Sequence, residues 1–93
     1  DVVGLTAVAG NVPLALTEKN TRKICELAGR PDAKVYAGAI RPLIRPLVTA
    51  EYVHGKTGLD GQDLPEPAMA LILSSRPSAA IRMARSRFAR LDR

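Results

Sequence analysis

The chain has a single cysteine, Cys25, and a single histidine, His54, in 93 residues. One thiol excludes an internal disulfide framework and a cysteine zinc cluster alike, and a reducing cytoplasm follows as the default compartment. No apolar run approaches the roughly 18 residues of a membrane span, so no membrane partner is expected. The sequence does not open with the basic start, apolar core and cleavage site of a secretory signal. Acidic residues are scarce in one place only. Up to Leu71, eight Lys/Arg are matched by eight Asp/Glu, whereas the last 22 residues hold six arginines and only Asp92, which accounts for the net charge of +5. A body without net charge has no general electrostatic reason to seek phosphate, and nucleic acid is not expected as its partner.

A glycine is also missing where a nucleotide-binding loop would need it. Gly55-Lys56-Thr57 has the form of the end of G-x-x-x-x-G-K-[ST], but the first glycine position is Ala50. Between them stand Glu51, Tyr52, Val53 and His54, which resist positive-φ turns and, through Glu51, repel an anion. The following Gly58-Leu59-Asp60-Gly61 is a poor opening for the helix whose N-terminus should hold the phosphate. The histidine needs another explanation.

What is present fits one small globular domain, with a hydrophobic fraction of 46%. Val2–Ala9, VVGLTAVA, is rich in β-branched and apolar residues without strict alternation, the pattern of a strand covered on both faces in a parallel sheet. Gly10-Asn11 breaks it, and Pro13 suits the first turn of a helix. From Leu14 to Ala28 the spacing places Leu16, Asn20, Ile24, Leu27 and Ala28 near one face, with Glu18, Lys19, Arg22, Lys23 and Glu26 mainly opposite. Gly29 is expected to cap this helix in the left-handed region and Pro31 to end it. A second strand, Lys34–Ala37, follows at the distance of a β-α-β crossover. Cys25, inside the helix, reads as a small packing residue rather than a reactive thiol. In IRPLIRPL, Arg41 and Arg45 bracket Pro42 and read as solvated arginines on an ordered loop, with an anion clamp as the alternative. Gly55–Pro67 forms a long irregular loop, the kind that serves as a lid or mobile segment, and His54 stands at its entrance.

Residues 72–93 change character. Ser75 as N-cap, Pro77 in the first turn and Ile81, Ala84, Phe88 and Leu91 at helical spacing predict an amphipathic helix with solvated arginines. An arm for nucleic acid or an anionic membrane is the sharper reading of the same residues.

Several separated pieces occur in a telling order: Ala9-Gly10-Asn11 after a strand, Val35-Tyr36-Ala37-Gly38, then Val53-His54-Gly55 with Gly58, then Leu64-Pro65-Glu66-Pro67. Over residues 1 to about 70 the chain closely resembles the inosine–uridine-preferring nucleoside hydrolases. The resemblance implies an α/β fold, here a fragment of an open, mainly parallel, Rossmann-like sheet. It implies hydrolysis of the N-glycosidic bond of purine or pyrimidine ribonucleosides to ribose and free base, in nucleoside salvage. It implies a Ca²⁺ ion held by aspartates and a homo-oligomeric full-length form. Asn11 matches the family asparagine that faces the ribose; from the residues alone, turn formation by Gly10-Asn11 reads equally well. His54 matches the family histidine near the base, a candidate catalytic proton donor and substrate-binding residue; alone, a lone histidine would read as structural. The family's aspartate-rich metal motif lies upstream of Asp1, so the resemblance implies no metal ligand in this chain and a fragment that is inactive alone. The organisation expected is a partial hydrolase domain over 1–71 and a basic tail over 72–93, helical or out of frame. The rival from another class is a noncatalytic binding module whose tail contacts nucleic acid or protein.

Overall fold

The computed structural model describes residues 2–72. Its elements in chain order are β1 (Leu5–Ala7), α1 (Leu14–Leu27), β2 (Val35–Ala37) and α2 (Glu51–His54). β1 and β2 pair in parallel, with Leu5 opposite Val35, Thr6 opposite Tyr36 and Ala7 opposite Ala37, and α1 packs on both. This is the β-α-β unit that the sequence predicts. Asp1, most of the arginine-rich tail and the helix expected within it lie outside the described residues.

Both strands are shorter than the apolar runs that announce them. Backbone bonds from Leu5 N–H to Lys34 O and from Ala9 N–H to Ala39 O extend the pairing a little beyond the named strands. The expectation that the first strand is covered on both faces is not met among the described residues. Ala7 is buried, but Val2 and Val8 are more than half exposed, because α1 covers one side of the pair only. β2 is the better-covered strand. It has β1 on one side and a parallel bridge from Tyr36 to Ile72 on the other, closed by Ile72 N–H donating to Val35 O at 2.8 Å. Val35 and Tyr36 are accordingly buried.

Helix α1 starts at Pro13, whose carbonyl accepts from Leu16 and Thr17 N–H. Proline has no N–H to leave unpaired there. The helix ends in a Schellman arrangement: Gly29 N–H reaches Glu26 O and Arg30 N–H reaches Cys25 O, with Gly29 at φ +72°. Pro31 follows, as expected.

The helix's faces differ from the expected ones. Cys25 is its only buried residue, in keeping with a packing role, whereas Ile24 and Leu27 are largely exposed. The charged side is the more covered one, with the side chains of Glu18, Arg22 and Lys23 all below one-fifth exposure. The reason is a segment distant in sequence. Residues 66–69 cross that side as a strap, where Glu66 pairs with Lys19 at 2.7 Å, Met69 O accepts from Arg22 and Met69 N–H donates to Glu26 Oε1 at 2.7 Å. Arg22 is held for this by a two-pronged pair with Glu18. The strap leads directly to Ile72 and its bridge to β2. Among the described residues, no helix is long and apolar enough to cross a membrane.

Candidate functional site

Parallel strands direct their carboxyl ends to one edge, where open α/β sheets bind ligands. Asn11 follows β1 at that edge and is exposed. Its carbonyl accepts the N–H of Ala50 at 2.7 Å, the residue from which α2 starts. One helical turn later the chain reaches His54, also exposed. The two residues singled out in the sequence are therefore carried by segments that the backbone ties together. α2 was not anticipated, since four residues with no side-chain cap give no periodic signal.

Gly55 ends α2 at φ 75° and ψ 175°, a conformation open essentially to glycine only. A side chain there would land on the Asp60 carboxylate. The residues after it form a closed set of contacts. Gly58 N–H donates to Gly55 O, Leu59 N–H to Thr57 Oγ1, Thr57 Oγ1 to Asp60 Oδ1 and Asp60 N–H to His54 O. The loop also rests on the helix: Asn20 Nδ2 donates to Thr57 O at 2.6 Å, and Gly58 packs against Val12 and Asn20. Gly55-Lys56-Thr57 thus follows a helical turn and precedes further turns, not the strand-to-helix setting of a phosphate loop.

Two cavities adjoin this edge. One of about 540 Å³ opens beyond the end of β1, between Ala9-Gly10 and the loop Pro42–Val48, with Arg45 on its wall. The other, about 370 Å³, includes Asn11, Asn20 and Gly58 but runs down α1 past Cys25 to Leu5 at the start of β1. The first lies where the strand ends point, and chemistry at the sheet edge belongs there rather than along the helix flank. Asn11 lines the second cavity, and His54 lines neither of the two.

Several carboxylates hold structural contacts. Glu66 is held below the usual glutamate range by its hydrogen bond from Lys19, and Asp32 is held low by its hydrogen bond from Arg30. Glu18 is committed to Arg22 and Asp60 to Thr57. Among the described residues no group of three or more His, Cys, Asp or Glu side chains could hold a metal ion, and these residues do not fit the Ca²⁺ site that the family implies. Asn20, Thr57 and Asp60, which make the contacts of the loop after His54, are not singled out by the sequence reading. The available signal was Asn20, a polar residue in an otherwise apolar helical stripe.

A parallel β-α-β unit with a histidine-bearing turn tied to the end of its first strand defines part of an α/β domain. The chain matches the inosine-uridine preferring nucleoside hydrolases over residues 1–90, and it belongs to that family. The match runs past the boundary at residues 71/72 that composition suggests. An uncharacterised protein of Schizosaccharomyces pombe is 48% identical over 68 residues, which cover 73% of this chain and 22% of that protein. The pyrimidine-specific ribonucleoside hydrolase RihA of Klebsiella pneumoniae subsp. pneumoniae is 47% identical over 70 residues, 75% of this chain and 22% of the relative. The protein of the same name from Escherichia coli O139:H28 is 46% identical with the same coverage. The chain therefore spans about a fifth of the length of these curated relatives.

Proposed function

We propose that this chain carries one edge of the substrate site of a nucleoside hydrolase that cleaves the N-glycosidic bond of ribonucleosides, pyrimidine ribonucleosides among them. The observation that carries the reading is the backbone bond from Ala50 to Asn11, which fastens the histidine turn to the sheet edge in a chain of this family. The pyrimidine-specific name of two relatives supports the substrate class. In the reaction, water adds to the anomeric carbon, the bond to the base nitrogen breaks, and the base leaves with a proton. A neutral base is a poor leaving group as an anion, so a protonated imidazole beside it assists departure by roughly 10²–10⁴-fold. His54 is assigned that proton, and Asn11 is assigned hydrogen bonds to the ribose hydroxyls, with its amide serving as donor and acceptor. The buried Cys25 thiol, without a disulfide partner, suits a cytoplasmic enzyme of nucleoside salvage. Exposed Leu43, Ile44, Val48 and Tyr52 leave apolar surface for the rest of the domain or a second subunit to cover, consistent with a homo-oligomer.

The test compares two substrates in the full-length protein. His54→Ala is expected to lower kcat on a pyrimidine nucleoside by about 10²-fold or more. A p-nitrophenyl riboside, whose leaving group departs without protonation, should lose far less. Equal losses on both would reject the proton-donor role.

A further inference from the structure

We propose that Asn20, on α1, is a positioning residue for His54, acting through the loop that follows the histidine. The inference rests on the reading of His54 given above. Asn20 is half-buried at the middle of α1, and its amide donates across 37 positions of sequence to Thr57 O at 2.6 Å. The contact is tight because Gly58 has no side chain: a Cβ there would come within 3.0 Å of Val12 and 3.1 Å of Asn20. Val12 is itself only 2% exposed, so the loop rests on one of the best-buried side chains of the fold. From Thr57 the connection continues through its hydroxyl to Asp60 Oδ1, and from Asp60 N–H to His54 O at 3.3 Å. The other end of the turn is fixed independently, by Ala50 N–H on Asn11 O and His54 N–H on Ala50 O. His54 is thus held from the strand end on one side and from α1 on the other. A lid that swings freely over substrate would need the first tether without the second. With both, the loop is a ledge that presents the histidine at one place, and the helix sets where that place is.

Proton transfer to a departing base is sensitive to sub-ångström placement. Loosening the ledge should therefore lower kcat where protonation matters and leave binding nearly untouched. In the full-length protein, Asn20→Ala and Asn20→Asp both remove the donor, and Asn20→Asp keeps the side-chain shape. Either is expected to speed amide exchange at Gly58 and Asp60 by about 5- to 10-fold, the effect of losing one hydrogen bond. kcat on a pyrimidine nucleoside should fall about 10-fold with KM changed by less than about 3-fold. The p-nitrophenyl riboside should change by less than about 2-fold, and the kcat loss should vanish in a His54→Ala background. Unchanged exchange at Gly58 and Asp60 overturns the tether. Faster exchange with unaltered kcat, in a protein whose His54→Ala variant shows its selective loss, overturns the positioning role. If His54→Ala shows no selective loss, it is the proton-donor reading that fails, and the exchange data identify that case. Should the Asn20 variants fail to fold, Thr57→Val cuts the next link from an exposed position. It is expected to give the same substrate-selective loss of kcat, and its absence counts against the proposal.

Discussion

Gly55→Ala perturbs the junction between His54 and its loop at a single atom. Two costs follow from the structure. The backbone at φ 75° and ψ 175° lies where an L side chain is strained by about 1–3 kcal/mol. The new Cβ would also occupy the place of the Asp60 carboxylate, which must swing away and give up the hydroxyl of Thr57, at a further cost of about 0.5–1.5 kcal/mol. The sum, about 1.5–4.5 kcal/mol, is a large part of the stability of an ordinary domain. Urea unfolding of the full-length protein measures it, and a cycle with Asp60→Ala separates the two parts. In the Asp60→Ala background the clash is gone and only backbone strain remains, so Gly55→Ala should cost less there by about 1 kcal/mol. Gly61→Ala, at φ 91° with open space around it, serves as the strain-only control. A cost below about 0.5 kcal/mol for Gly55→Ala, or an identical cost in both backgrounds, would refute the geometry of this junction.

The strap across α1 offers two further tests. Arg22→Ala removes a donor to Met69 O and leaves Glu18 unpaired at 13% side-chain exposure, so it should destabilise by about 1–3 kcal/mol, between the values for exposed and buried pairs. Thermal unfolding that shows no loss would mean the strap does not depend on this pair. Glu66 has its pKa depressed in the folded state, chiefly by the hydrogen bond from Lys19, so its contribution to stability is complete above the ordinary glutamate value of 4.5 and is lost as pH falls through the lower folded value. Exchange at the Ile72 amide, followed across that acid range, should quicken in the parent and lose part of this pH dependence in Glu66→Gln.

Much of the architecture was legible because its signals are local. Pro13, Gly29 and Pro31 bound α1 to within a residue of the observed helix, since each acts through its own backbone. The apolar runs around Val3 and Val35 identified both strands, but not their lengths, because pairing ends where the partner ends. The orientation of α1 was misread for a non-local reason. Periodicity marks Ile24 and Leu27 as inward, yet what lies against a helix depends on distant chain, and here residues 66–69 select the charged side. The same limit applies to the site. Asn11 and His54 are singled out as candidates by resemblance alone, while the bond from Asn20 to Thr57 joins positions that no local pattern relates.

Helix α1 consequently has two jobs on two sides. Asn20 lies about 200° around the helix from both Glu18 and Arg22, so the tether to the histidine loop and the clamp on the strap face nearly opposite directions. Neither shares a side chain with the other. The clamp sets how the chain enters the sheet at Ile72, and the tether sets where the turn at His54 sits relative to the sheet edge. Both are referred to the same rigid body, a helix locked at its ends by Pro13 and the Gly29 cap and packed on both strands. A helix moved as a whole would shift strap and histidine together, while a side chain changed on one side leaves the other in place. Sheet order and site geometry are in this way built on one element and still free to vary separately, which explains why a mid-helix asparagine can matter to a histidine 34 positions away without being part of the core.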